Sequence, residues 1–364
     1  MKRKTILPLL LCSALLLGAC GSTSGGSQGT SSDNGKTAEV SETTEASETD
    51  EDSEAVEDSE KTDSSESDPS SADSGVHLSI DGYDSEHFPN LDGSLANQPL
   101  LLRIMSELTG ADDDTVETYF ADSFENGGTS TSWGKLIYES MDLIISYEPP
   151  QEVKDAYEAE FEDLEIDPLG RDGLVFIVNV NNPIESLTID QIRDIYTGKI
   201  TDWSEVGGEP GEIQAFQRNS TSGSQTLLNK LVMDGEETME PDEDLLIGTM
   251  GELIERVAAF DGSGSAIGFS VYYYADRMKS DPNLKMIQVE GITPSNETIE
   301  DGSYPLCNDF YMAIRASADK DSPVRALRDW LLSDDGRALL EEEGYVWART
   351  GMEAVSNGAG NPFR

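Results

Sequence analysis

The sequence predicts an α/β protein, because segments with the pattern of buried strands alternate with segments that have helical spacing. The strand pattern is clearest at 173–180, where Gly-Leu-Val-Phe-Ile-Val-Asn-Val is almost entirely apolar. The helical pattern is clearest at 99–108 and 324–331, where apolar residues recur every three or four positions. The alternation extends over residues 76–364, which is long for one sheet and suits two lobes.

Residues 1–20 have the pattern of a bacterial lipoprotein signal peptide. Lys2, Arg3 and Lys4 form a positive start, and the apolar stretch that follows is too short to span a bilayer comfortably. The segment ends in Leu-Gly-Ala-Cys, which resembles the lipobox that precedes cleavage and lipid attachment. We therefore expect cleavage before Cys20 and a membrane anchor through lipid on its sulfur.

Residues 21–75 are predicted to be a disordered acidic linker rich in Ser and Thr. They hold 16 acidic residues against 2 lysines and contain no aromatic residue. Such a segment cannot bury enough apolar surface to offset its chain entropy. Its expected role is to space the folded part from the membrane.

The charge of the chain excludes several classes of function. The sequence has 72 acidic and 24 basic side chains, which gives a net charge of −48. Nucleic acid would be repelled over the whole surface, so no nucleic-acid partner is expected. With only His77 and His87 present, metal ligation or catalysis by histidine is nearly excluded. We expect no metal site and no cofactor.

The folded part contains further elements between the clearest ones. Gly110 ends the first predicted helix, and Gly198 ends another. In chain order these elements are a strand at 142–145, helices at 188–196 and 227–233, strands at 266–269 and 310–314, and a final helix around 338–343.

Three Ser/Thr-rich turns precede predicted helices, at 92–95, 127–132 and 218–226. Ser and Thr at these places commonly cap a helix, which explains any one of the turns. The partial positive charge of a helix N-terminus also favours an anion, and Arg218 adds a planar donor fork suited to oxygen anions. The three turns together therefore indicate a site for a tetrahedral oxyanion.

These segments resemble the PstS-like phosphate-binding proteins of ABC importers. The segment 218–226 is similar to the Arg-x-x-x-Ser-Gly-Thr/Ser phosphate motif of that family, and Leu91-Asp92-Gly93-Ser94 is similar to its N-terminal turn. Residues 187–203, which include Gly-Lys-Ile-Thr-Asp-Trp, resemble another signature of the family. The resemblance covers roughly residues 88–348, with the motifs in the family's order.

The resemblance implies a two-lobed type II periplasmic-binding-protein fold, with mixed sheets flanked by helices and the ligand in the cleft. Lobe I would comprise 76–170 and 304–364, and lobe II would comprise 171–303. The protein would capture inorganic phosphate and deliver it to an ABC permease, as a monomer on the extracytoplasmic face of the membrane. The implied phosphate ligands are Ser94, Leu95, Thr129, Ser130, Thr131, Arg218, Ser222, Gly223 and Ser224.

One position departs from the family pattern. The family usually has an Asp after the strand predicted at 142–146, where it accepts the proton of hydrogen phosphate and repels sulfate. The matching position here is Tyr147, with Glu148 next to it. Our hypothesis is that Glu148 supplies the acceptor after a one-residue shift.

Other functions remain as alternatives. The protein could be a receptor for another oxyanion or a phosphorylated small molecule, or a sensor without a transport role. An enzyme that uses Ser222 or Ser224 is disfavoured, since no histidine lies near either serine in the sequence and no Gly-x-Ser-x-Gly motif is present. The lipoprotein signal and the absence of a cysteine pair after cleavage favour a Gram-positive bacterium.

Overall fold

A computed structural model describes residues 88–259, 266–348 and 362–363. The predicted signal peptide, linker and lipid attachment at Cys20 lie outside the described residues. Ten helices and eleven strands alternate along the described chain, which confirms the α/β prediction.

The helices include both long amphipathic segments and single turns. In chain order they are α1 Gln98–Thr109, α2 Asp113–Asn126, α3 Thr129–Ile137, α4 Gln151–Ala156, α5 Ile189–Tyr196, α6 Gly223–Leu231, α7 Met250–Ala259, α8 Asn296–Glu300, α9 Pro323–Leu331 and α10 Asp334–Glu343. Short 3₁₀ turns occur at Leu95–Asn97, Glu160–Asp163, Trp203–Val206 and Glu243–Leu245, and a π-helical turn at Tyr274–Met278.

The strands differ widely in length. In chain order they are β1 Leu91–Gly93, β2 Leu143–Ser146, β3 Leu164–Asn179, β4 Ser186–Leu187, β5 Gln214–Ala215, β6 Gln217–Arg218, β7 Leu246–Ile247, β8 Ala266–Val271, β9 Leu284–Val289, β10 Cys307–Arg315 and β11 Val346–Trp347.

Nine of the described strands form one mixed sheet with the central order β1-β2-β10-β3-β8-β5. The pair β1/β2 is parallel, whereas β10 runs antiparallel to both of its neighbours. Helices cover both faces: Leu143 and Ile145 pack into the larger core, and Ile144 between them packs against Trp133 of α3. This burial on both faces explains why the sequence of β2 is a continuous apolar run and not an alternating one.

The long strand β3 joins two halves of the sheet. From Leu164 to Gly173 it pairs with β10, and from Leu174 onward it pairs with β8 and β9. We call the part around β1, β2 and β10 the first half, and the part around β8 and β9 the second half. The predicted lobe boundaries at 170/171 and 303/304 fall close to this change of partner, and they stay a prediction.

Several predicted elements are longer in the structure, and the two described here are β3 and α6. The strand predicted from 173 begins at Leu164, before Pro168, because a bulge opposite Phe310 and Tyr311 accommodates the proline. The helix predicted from 227 begins at Gly223, which places the Ser-Gly-Ser turn at the helix start.

Asp172 lies buried where β3 changes partners. Its carboxylate accepts hydrogen bonds from the Tyr147 hydroxyl at 2.6 Å, the Gly173 N–H at 2.7 Å and the Tyr273 N–H at 3.2 Å. Burial raises the pKa of Asp172 to about 6, although these hydrogen bonds oppose the shift. The junction of the two halves therefore holds a titratable group.

Replacing Asp172 with Asn should change how stability depends on pH. The folded-state pKa of about 6 exceeds the ordinary value of 3.8, so the folded protein keeps a proton that the unfolded chain loses between these values. Stability from this group is present at low pH and is lost as the pH rises through that window. The unfolding free energy of Asp172→Asn, relative to wild type, should rise by about 1.4 kcal/mol per pH unit there.

Urea unfolding between pH 4 and pH 7.5 checks this prediction. Asp190→Asn, which changes an exposed carboxylate on α5, is the matched control. A difference between Asp172→Asn and wild type that does not vary with pH would contradict it.

Candidate functional site

A cavity of about 200 Å³, lined mainly by Ser, Thr and Gly, lies where the first and second halves meet. This volume is below the roughly 300–1,000 Å³ of sites for drug-sized ligands, so the cavity suits an ion or a very small molecule. Its lining comes from six parts of the chain: Ser94 to Ala96, Glu125 with the α3 start, Tyr147, all but Ser220 of the segment from Arg218 to Ser224, Gly248 to Met250, and Val271.

The N-termini of α3 and α6 meet at this cavity. A Cβ atom added to Gly223 would lie 2.4 Å from Thr129 Oγ1, so the absence of a side chain allows the close approach. Ser130 Oγ donates a hydrogen bond to the Thr221 carbonyl oxygen at 2.8 Å across the same contact. Two helix starts therefore direct partial positive charge toward one small space.

Within the described residues, the starts of α3 and α6 have no side-chain N-cap. The N-cap residues Gly128 of α3 and Ser222 of α6 make no side-chain capping hydrogen bond there. In contrast, Thr188 caps α5 and Ser295 caps α8, each with a capping box. The first N–H groups of a helix have no partner within the helix, so those of α3 and α6 can bind a ligand.

Arg218 places a formal positive charge beside the cavity, in addition to the partial charges of the helix starts. Its Nε donates to the Ile247 carbonyl oxygen at 3.1 Å and its Nη2 to that of Gly248 at 3.0 Å. The remaining nitrogen, Nη1, is buried without a hydrogen-bond partner among the described residues. Burial lowers the pKa of Arg218 to about 10, so the guanidinium stays charged at neutral pH. A fixed, buried donor of this kind suits an anion.

A family model described as a PBP superfamily domain matches residues 90–335. The chain belongs to this superfamily. The match includes all the cavity-lining segments, from Ser94 to Val271. It also agrees with the type II periplasmic-binding-protein fold that the sequence predicted.

Curated relatives of this chain are named phosphate-binding protein PstS. The one from Borreliella burgdorferi is 26% identical over 274 residues, which cover 73% of this chain and 92% of the relative. The one from Staphylococcus haemolyticus is 28% identical over 232 residues, or 60% of this chain and 69% of the relative.

Two solved structures share the fold of this chain. An ABC-type phosphate transport receptor from Vibrio cholerae is 24% identical with a TM-score of 0.50, covering 70% of this chain and 98% of its own. A candidate phosphate ABC transporter substrate-binding protein with bound phosphate, from Clostridium perfringens, is 22% identical with a TM-score of 0.55. That match covers 71% of this chain and 98% of the other.

The structure brings nine of the ten predicted site residues together. These are Ser94, Leu95, Thr129, Ser130, Thr131, Arg218, Ser222, Gly223 and Ser224. The hydroxyls of Ser222 and Ser224 lie 3.0 Å apart. The Ser94 N–H is already used within the protein, because it donates to the Ile145 carbonyl oxygen at 3.1 Å. Its hydroxyl donates to Asn97 Oδ1, which leaves the Ser94 oxygen able to accept.

The structure does not bring Glu148, the predicted ligand acceptor, to the cavity. Glu148 is not among the residues that line the cavity, and its carboxylate pairs with Lys154 at 2.8 Å and with Lys230. Burial alone would raise the pKa of Glu148, but the two lysines outweigh burial and lower it. Tyr147 does line the cavity, although its hydroxyl donates to Asp172.

Several lining residues lacked a clear sequence signal. Gly248, Thr249 and Met250 reach the cavity because β7 pairs with β6 and delivers the start of α7 beside Arg218. Thr249 accepts a hydrogen bond from the Glu252 N–H at 3.1 Å, so its spacing to Glu252 is that of an ordinary helix cap. Such a cap does not by itself indicate a ligand site.

Buried carboxylates lie near the cavity without lining it. Asp92 pairs with Lys135 at 2.7 Å behind Ser94, and Asp172 is held at the junction of the two halves. Burial raises the pKa of Asp92, and the contacts with Lys135 oppose that shift. The carboxylate that does line the cavity is that of exposed Glu125.

The part of the chain that the structure describes contains neither a cluster of metal-ligating side chains nor a membrane-spanning helix. No group of three or more His, Cys, Asp or Glu side chains there could hold a metal ion. No helix in that part is both long and apolar enough to cross a membrane.

Proposed function

We propose that this protein captures inorganic phosphate in the cavity and delivers it to an ABC permease. It would act as a monomer on the extracytoplasmic face of the membrane, anchored by lipid on Cys20, with lobes at 76–170 plus 304–364 and at 171–303. The observation that best supports phosphate capture is Arg218 Nη1, a buried charged donor beside two helix starts without side-chain caps. The role is that of a receptor and requires no covalent chemistry.

The groups around the cavity match the needs of hydrogen phosphate. Its charged oxygens accept hydrogen bonds from the Arg218 guanidinium, from N–H groups at the starts of α3 and α6, and from the hydroxyls of Thr129 and Ser222. Its single P–OH needs an acceptor, and the Ser94 hydroxyl oxygen is one candidate because its own hydrogen is given to Asn97. Relatives named phosphate-binding protein PstS support the same ligand.

A receptor for another oxyanion is the second candidate, favoured by the nature of the acceptors. The buried carboxylates Asp92, Glu148 and Asp172 are absent from the cavity lining, so the described residues place no buried carboxylate there to repel a fully ionised anion. The Ser94 hydroxyl oxygen can accept the phosphate proton, but the hydroxyl groups of Thr129 and Ser222 can equally donate to sulfate. Selectivity for phosphate is therefore expected to be modest.

Calorimetric titration of the full chain, stripped of carried-over ligand, tests both candidates. We expect phosphate to bind at roughly micromolar concentration or tighter, and sulfate to compete measurably. Titrating chloride as the sodium salt controls for ionic strength. No heat with phosphate would contradict the proposed function, and binding of sulfate without phosphate would support the second candidate.

A further inference from the structure

We infer that the ion pair between Glu148 and Lys230 is a latch that holds the two halves closed over the ligand. The inference rests on the proposed function, because it assigns these two residues a part in ligand retention. Neither residue lines the cavity, so they act on the position of the halves and not on the ligand itself.

Lys230 belongs to the second half of the molecule. It lies near the end of α6, whose first residues line the cavity and which packs against β6, β8 and β3. Glu148 belongs to the first half, since it follows β2 by two residues. The Glu148 carboxylate accepts a hydrogen bond from the Lys230 ammonium, so the pair joins the halves directly.

A second contact supports the same position for Lys230. Its Nζ also donates to Asn308 Oδ1 at 3.0 Å, and Asn308 lies at the start of β10 in the first half. The ammonium is therefore held by two groups from the opposite half. Because α6 is short and continuous, these contacts at its end constrain the position of Gly223 and Ser224 at its start.

Glu148 is well suited to remain in place when the halves separate. Its side chain is only 8% exposed, and Lys154 of α4 pairs with it from the same half at 2.8 Å. Opening the cavity would move the start of α6 away from α3 and would break the Lys230 contacts, while the Lys154 pair persists. The latch thus opposes opening specifically, whereas Lys154 only orients the carboxylate.

The expected effect falls on ligand release. Breaking a partly buried charged hydrogen bond across an interface acts mainly on the dissociation rate. The Lys230 side chain is 42% exposed, so solvent screening reduces the effect below that of a fully buried pair. We expect Glu148→Gln and Lys230→Met each to raise the phosphate dissociation rate by roughly five- to tenfold.

Stopped-flow release of phosphate from the full chain is the first test. Lys154→Met is the matched control, since it removes a lysine from the same carboxylate without crossing between the halves, and it should change the rate less than twofold. The double variant of Glu148 and Lys230 should release phosphate about as fast as either single variant. Equal effects of Lys154→Met and Glu148→Gln, or unchanged rates in Lys230→Met, would overturn the latch.

Hydrogen exchange without added ligand separates this inference from the proposed function. Amides at 129–131 and 223–225 should exchange faster in Glu148→Gln and Lys230→Met than in wild type, and Lys154→Met should match wild type. If phosphate does not bind wild type, the proposed function fails, but this exchange still decides the latch. Identical exchange in all four proteins would overturn it.

Discussion

Replacing Arg218 with alanine should weaken phosphate binding by more than tenfold. The substitution removes a buried guanidinium whose Nη1 has no other hydrogen-bond partner among the described residues. A hydrogen bond to a charged group contributes about 1.5–3 kcal/mol, and each 1.4 kcal/mol is a tenfold change in affinity. Isothermal titration of phosphate into the wild type and Arg218→Ala measures the loss.

Two further variants separate the role of Arg218 from general charge effects. Arg218→Lys keeps the charge but loses the planar fork, so it should recover only part of the affinity. Arg256→Ala removes an exposed arginine of α7 that pairs with Glu252, and it should bind as wild type does. An unchanged dissociation constant in Arg218→Ala, with the circular dichroism spectrum preserved, would contradict the proposed site.

Replacing Gly223 with alanine should also weaken phosphate binding at least tenfold. The new Cβ would lie 2.4 Å from Thr129 Oγ1, closer than side-chain atoms can approach. Either the Thr129 hydroxyl turns away or the starts of α3 and α6 move apart, and both changes displace groups that line the cavity. A titration measures the affinity, and thermal unfolding reports whether the fold is kept.

Gly134→Ala is the matched control for this substitution. Gly134 lies inside α3 outside the cavity lining, and an added Cβ would have no neighbour within 4 Å. It should leave the dissociation constant unchanged and stabilise the helix by about 0.5–1 kcal/mol. Wild-type affinity in Gly223→Ala would show that the close approach of α3 and α6 is not needed for binding.

The segment from Arg218 to Ser224 could be predicted because its features are local. One glycine, three serines and an arginine within seven residues are typical of a helix start that binds an anion, whatever the rest of the chain does. The prediction succeeded in placing these residues at one cavity. The sequence did not show that the Ser222 hydroxyl contacts that of Ser224 and that α6 has no side-chain cap.

The start of β3 was missed because its stability comes from distant residues. Pro168 argues against a strand, yet β10 pairs with this segment about 140 residues later in the chain. Phe310 of β10 covers Gly170 so closely that a Cβ there would lie 2.1 Å from the ring. The residues around Pro168 carry no pattern that indicates pairing with the distant strand β10.

Sequence alone predicted the α/β class, the family and nine candidate residues that line one cavity, because hydrophobic periodicity and helix-start chemistry act over a few neighbouring residues. Only the tertiary structure decided which groups the Glu148 carboxylate contacts. Adjacent residues such as Tyr147 and Glu148 point in different directions after a strand ends, so the sequence left open which of them faces the cavity. Lys230, 82 residues away, pairs with Glu148, and a contact at that separation is set by how the two halves pack.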